Sequence, residues 1–138
     1  MGEIIMNHKI IKSSALFILL FLFLNVGFAQ QANEKVYWMV TTEVALNNLP
    51  EFHAFMGKEL APLMEKHGYM PVAAWQTIVG DIEEVVSVSE FENMTAYNKA
   101  RVSLLTSEEW KTASKKYGTM VKSTKTRFLR ATPYSKIK

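Results

Sequence analysis

An α+β fold with the element order βαββαβ is predicted by three observations. A run rich in β-branched and aromatic residues, VYWMVTTEV at Val36–Val44, reads as a first strand. Apolar residues then recur at helical spacing in two separate stretches, one from Phe52 to Met64 and one beginning after Asn93. Between those stretches, two more strand-like runs, residues 71–79 and 85–91, are joined through Gly80-Asp81. With a closing strand at 124–132, this makes a four-stranded antiparallel sheet with helices on one face.

The elements follow in order. Residues 1–29 read as a signal peptide, not as part of the fold. Lys9 and Lys12 sit in a polar, net-positive start, residues 15–28 are almost unbroken apolar, and Gly27-Phe28-Ala29 suits cleavage before Gln30. As a helix that apolar run is roughly 21 Å long, against roughly 30 Å for a bilayer core. Export to the periplasm or the medium is therefore expected, with no stable membrane span after cleavage; an uncleaved anchor is the rival reading. With 0 cysteines, a lipid-anchored lipoprotein, disulfides, thiolate metal sites and cysteine nucleophiles are all excluded. Residues 30–35 form a short flexible lead, 36–133 a single domain, and 134–138 a basic tail.

Within the domain, Asn47-Asn48 are candidate caps for the first helix and Pro50 suits its first turn. Phe52, Phe55, Met56, Leu60, Leu63 and Met64 form its apolar stripe, Pro62 should kink it, and Gly68 should end it. Lys66 and His67 fall in the last turn, where the helix dipole favours cations. Asn93 is a cap for the next helix, with Met94, Tyr97, Ala100 and Leu104 in period. Thr106-Ser107-Glu108-Glu109 reads as a capping box opening a third helix, whose buried stripe is Trp110, Ala113, Tyr117, Met120 and Val121. Pro133 ends the last strand.

Charge separates along the chain. Cleavage would leave 14 basic and 12 acidic residues; every acid lies at or before Glu109, and nine of the bases lie from Lys111 onward. Such an end could dock on an acidic surface, but a solvated helix face at Lys111, Lys115, Lys116 and Lys122, with Arg127 and Arg130 guarding a strand edge, accounts for it. Nucleic acid is not expected as a partner, since the basic residues are not interleaved with stacking aromatics.

The strand pattern also speaks to assembly. Helices cover one face of such a sheet, yet the first strand is apolar on both: Val36, Trp38 and Val40 alternate with Tyr37 and Met39. The third strand repeats this, with Val85 and Phe91 opposite Val86 and Val88. A bare second face would be a large apolar patch. A second copy of the chain, related by two-fold symmetry, is the simplest cover.

Four stretches together resemble the NIPSNAP family of the dimeric α/β-barrel superfamily: ELAPLMEKHG (59–68), Trp75 five residues before Gly80-Asp81, EEVVSVSEF (83–91) and SEEWK (107–111). The resemblance implies a ferredoxin-like monomer whose sheet pairs with a partner's into a dimeric α/β barrel. Superfamily members include cofactor-free oxygenases of aromatic compounds, haem-binding enzymes and isomerases, whereas NIPSNAP-like proteins mostly lack an agreed activity. The chain departs from the pattern where relatives carry polar residues: Trp38, Val40 and Thr42 in the first strand, Ser87 and Ser89 in the third.

Few residues suggest chemistry. His53 and His67, the histidines of the mature chain, are 14 residues apart, roughly 21 Å along one straight helix, so they cannot share a metal; no metal site is expected. His67 has a structural place at a helix end. His53, facing the sheet side, is the candidate catalytic base or haem ligand, against the plainer role of a satisfied boundary histidine. Glu90, a strand acid among valines, should pair with a Lys or Arg. Tyr37, Met39, Met56, Trp75, Tyr97 and Trp110 are the candidate ligand-pocket residues, against the alternative that they only fill the core. The six methionines after cleavage fit core gap-filling better than a copper site. Asn93-Met94-Thr95 matches a glycosylation acceptor but is better explained as a helix cap.

Four functions remain. The favoured one is a homodimeric barrel binding a small apolar or aromatic molecule. The others are a cofactor-independent monooxygenase or isomerase of aromatic compounds, a haem binder, and an interaction protein using its basic end. No cofactor is expected, with haem as the exception the third reading requires.

Overall fold

β1, Val36–Val44, lies inside the sheet, and its neighbours on both sides run antiparallel to it. The computed structural model describes residues 34–137; the expected leader (1–29), the first part of the lead and Lys138 lie outside the described residues. The strand order is β2-β3-β1-β4, with β2 at Met70–Gln76, β3 at Glu84–Phe91 and β4 at Val121–Leu129. This is the ferredoxin-like arrangement, and no helix of the described residues is long and apolar enough to cross a membrane.

Register decides which side chains face the helices. Val36 pairs with Phe91, Trp38 with Ser89, Val40 with Ser87 and Thr42 with Val85. Side chains alternate along a strand, so these residues share one face. Val44, Val85 and Phe91 are buried there in the helix-packed core, with Trp38 and Val36 against it. Tyr37, Met39, Val86 and Val88 take the opposite face.

A 3-10 turn, Leu46–Asn48, leads into α1, Leu49–Phe55, with Pro50 in its first turn. Asn48 occupies the cap position without a side-chain capping bond, so the expected Asn cap does not form. Pro62 leaves a π-helical turn, Met56–Leu60, before α2, Ala61–Lys66. Proline has no N–H to donate, and its ring collides with the carbonyl four residues back, here Lys58; a wider turn at that point relieves both problems. Phe52, Phe55 and Leu60 are buried from this composite helix, while Met56, Leu63 and Met64 pack on the core.

Gly68 ends α2 with φ +94. Its N–H donates to Glu65 O at 2.9 Å, and the Tyr69 N–H donates to Met64 O at 3.1 Å, the paired bonds of a Schellman stop. That geometry delivers Tyr69 into the core, 3% exposed. His67 also ties α2 to the following helix through Nδ1 and Ser103 Oγ at 2.8 Å.

β2 ends at Gln76, three residues short of the expected 79. Gln76 already pairs with Val85, and the Thr77 N–H donates to Glu84 O, so 78–83 form the connection. Ile78 and Val79 are consequently exposed despite their strand-like character. Pro71 sits at a register irregularity on this edge strand, where a missing N–H is tolerated.

α3, Met94–Leu105, is capped by Asn93 Oδ1, which accepts from Ala96 N at 2.9 Å. α4, Glu108–Met120, is capped by Ser107 Oγ, which accepts from Trp110 N at 3.2 Å. The capping box predicted from Thr106 and Glu109 is thus corrected: Thr106 Oγ1 donates back to Val102 O at the end of α3, and Glu109 pairs with Lys66. β4 begins at once, at Val121 rather than 124, and stops at Leu129 rather than 132. It pairs with β1 from Val44 to Tyr37, and only Val36 of β1 lies beyond the last pair. Its exposed edge carries Lys122, Lys125 and Arg127, charges that discourage a further strand from adding.

Candidate functional site

Between the helix face of the sheet and the helices lies a cavity of about 390 Å³. Its walls come from two packed clusters that share Met64 and Trp110 at their boundary. One end is aromatic: Trp38 lies edge-on to Tyr69 at 5.4 Å and tilted to Tyr97 at 6.3 Å, while Phe91 meets both tyrosines. Arg101, one helical turn after Tyr97 on α3, lines this end and is exposed at its rim. Burial and the neighbouring Tyr97 push the Tyr69 phenol up to about 12, with Arg101 opposing. Tyr69 is therefore a neutral hydrogen-bonding group near neutral pH and not a base.

The other end holds a row of hydroxyls in an otherwise apolar wall. Tyr117 Oη lies 2.9 Å from Thr42 Oγ1 and 2.9 Å from Thr124 Oγ1. Three elements supply them: β1, α4 and β4. Thr42 is 4% exposed, so its hydroxyl depends on Tyr117. Phe52, fully buried, packs against the Tyr117 ring at 6.1 Å.

His53 lines the cavity from α1, with Nε2 3.0 Å from Gln76 Oε1 on β2. Gln76 Nε2 donates to Ile82 O at 3.4 Å, which orients the amide oxygen toward the imidazole. On that pattern Nε2 carries the proton and Nδ1 is the basic nitrogen. The neutral amide partner fixes the orientation of the ring.

Among the described residues, no group of three or more His, Asp or Glu side chains could hold a metal ion. Acids serve structure instead: Glu90 meets Lys35 at 3.5 Å, and Glu83 hydrogen-bonds Lys122, which holds its carboxyl below the usual range.

Of the pocket residues expected from sequence, Met56, Tyr97 and Trp110 line the cavity, as does His53. Trp75 borders it on edge strand β2, but it pairs with Val86, so its side chain belongs to the opposite face of the sheet and is largely exposed. Tyr37 and Met39 do not line the cavity, which corrects their placement. They occupy the alternate positions of β1 and project to the far side of the sheet, so Trp38 and Val40 stand in the cavity wall instead. Tyr69, Thr42, Gln76 and Arg101 were missed. Arg101 was within reach of the spacing argument, four residues after Tyr97 and three before Leu104.

The NIPSNAP family model matches residues 37–136. The chain belongs to the NIPSNAP family. Among solved structures, a NIPSNAP family protein of Agrobacterium tumefaciens strain C58 superposes with a TM-score of 0.72 at 15% identity, covering 77% of this chain and 96% of that one. A NIPSNAP-like domain protein from Burkholderia xenovorans gives 0.69 at 16% identity, over 75% and 90%. A candidate antibiotic biosynthesis monooxygenase from Bacteroides thetaiotaomicron gives 0.53 at 17%, over 75% and 93%. At such identities these likenesses establish the NIPSNAP chain's ferredoxin-like fold. Comparison with curated proteins returns no match.

Proposed function

We propose that this NIPSNAP-family chain is an exported homodimer that binds a small apolar or aromatic molecule between sheet and helices. The cavity carries the reading: about 390 Å³, walled mostly by apolar and aromatic side chains with a few polar groups, is what a small-molecule site requires. Dimerisation is supported by the apolar residues Met39, Val86 and Val88 on the sheet face turned from the helices. Export rests on the apolar run 15–28 and the small residues that follow it.

Native mass spectrometry of residues 30–138 tests the first two parts together. The expected spectrum is a dimer with a retained small molecule. A monomer at micromolar concentration overturns the dimer, and a dimer that takes up no aromatic compound overturns ligand binding. Expression of the full chain should yield a soluble exported species starting at Gln30; an intact chain held in the membrane fraction overturns export.

A second reading, a cofactor-independent oxygenase or isomerase, is favoured by His53, whose basic Nδ1 belongs to a residue lining the cavity. The candidate monooxygenase with the same fold is compatible with it. Oxygen uptake with an added dihydroxyaromatic, lost in His53→Ala, supports turnover; no uptake returns the protein to binding alone. Haem is the less favoured occupant: among the described residues His53 is the one imidazole lining the cavity, its Nε2 is engaged by Gln76, and only Nδ1 is left to reach an iron. No Soret band is expected from the purified protein.

A further inference from the structure

The charge on the cavity wall is one-sided. Arg101 is its one permanently charged residue, no Asp or Glu lines it, and no ion pair to Arg101 forms among the described residues. Elsewhere among the described residues Lys66, Lys111, Lys116, Lys122 and Arg130 meet carboxylates, whereas Lys58, Lys99, Lys115, Lys125 and Arg127 show no ion pair and point to solvent; what sets Arg101 apart is its place on the cavity wall. A guanidinium at an aromatic rim with no protein anion beside it offers a planar fork of donors to a carboxylate from outside.

At the far end, the hydroxyl row holds three protons, and its two internal hydrogen bonds use two. One proton and several lone pairs are left to meet a ligand oxygen. The two ends are aligned along β1, from Trp38 beside the aromatic end to Thr42 in the row. Four residue steps along the strand separate them by about 13 Å. Val40 and its cross-strand partner Ser87 line the stretch between, and Leu60 and Leu104 add apolar wall to the cavity.

Resting on the ligand-binding reading above, we propose that the cavity takes an elongated amphipathic carboxylic acid. Its carboxylate pairs with Arg101, its aromatic or conjugated body lies along the apolar middle, and a hydroxyl or carbonyl at its other end joins the Thr42–Tyr117–Thr124 row. The neutrality of Tyr69 agrees with this arrangement: beside Arg101 it can donate to the same carboxylate, whereas a phenolate would repel it.

The test uses displacement of a neutral fluorescent probe, N-phenylnaphthylamine, from residues 30–138. Competitors are a para-hydroxybiphenyl carboxylate, its methyl ester, and the biphenyl carboxylate lacking the hydroxyl. The acid is expected to compete about tenfold better than the ester, the scale of a partly solvated charge-assisted pair. Arg101→Gln should erase that preference, with each competitor read against the probe affinity measured in the same variant; Arg101 is exposed, so folding should not suffer. Tyr117→Phe should narrow the advantage of the hydroxylated acid over its hydroxyl-free analogue. Equal competition by acid and ester overturns this inference and leaves the cavity reading standing. So does a preference for the acid that survives Arg101→Gln, since another group would then hold the carboxylate. Failure of N-phenylnaphthylamine to bind at all takes down the ligand-binding reading itself, and the acid with it.

Discussion

Tyr117→Phe removes one oxygen from the middle of the hydroxyl row and leaves the ring packed against Phe52. Both 2.9 Å contacts vanish, but their losses differ. Thr124 is exposed and turns to water. Thr42, 4% exposed, keeps a polar hydroxyl in an apolar wall without a partner. Stranding such a group costs about 1–3 kcal/mol. With a urea slope of about 2 kcal/mol per M for a domain of this size, the unfolding midpoint should fall by about 1 M with an unchanged slope. Thr42→Val alone should cost less, because Tyr117 retains Thr124. The double variant removes both ends of the buried bond and should recover most of the loss, giving a coupling of about 1 kcal/mol. Urea unfolding followed by tryptophan fluorescence at fixed protein concentration reads all four proteins. A Tyr117→Phe change within about 0.5 kcal/mol of the parent, the scale of an ordinary surface substitution, refutes the dependence of Thr42 on this row. Strict additivity of the two changes refutes it equally.

Gly68→Ala should destabilise by about 1 kcal/mol through backbone conformation. The new methyl would meet Ala100 Cβ at an ordinary 3.6 Å, so sterics add little; a thermal midpoint unchanged from the parent contradicts this. If the chain forms the proposed dimer, Val88→Lys, on the sheet face turned from the helices, should shift sedimentation from dimer to monomer while the circular dichroism of the fold persists. Retention of the dimer would place the interface elsewhere. Lys122 lowers the Glu83 carboxyl in the folded protein, so that contribution is present above the unfolded carboxylate range and fades as pH falls through the lowered folded value. Lys122→Met should therefore flatten part of the acid limb of the stability curve. An acid limb identical in both proteins removes Glu83 from the explanation.

The strands, helix stops and caps were legible wherever one local rule acted alone. β1 runs from Val36 to Val44 as its β-branched and aromatic run indicates, Gly68 ends a helix, and Asn93 caps one. Strand ends were misplaced where pairing partners set the limit, and two expected caps, at Asn48 and Thr106, do not form. Ile78 and Val79 have strand character, yet Thr77 already closes onto Glu84; past the Tyr37–Leu129 pair only Val36 of β1 remains, so residues 131 and 132 have no β1 residue opposite them. Local propensity carries no information about where a neighbouring strand runs out.

The site divides in the same way. Spacing along the chain was enough to place Met56, Trp110 and Tyr97 on core-facing stripes, because helical period is a property of consecutive residues. It could not choose between Tyr37 and Trp38. Both are aromatic, both belong to β1, and which parity meets the helices depends on register with β3 and on where α1 through α4 pack. The meeting of Thr42 with Tyr117 at a sequence separation of 75, and of His53 with Gln76, likewise arises only when distant segments share a wall. Chain order settles periodicity and punctuation; folding alone brings remote polar atoms to within hydrogen-bonding distance, and that is what shapes a cavity with chemically different ends.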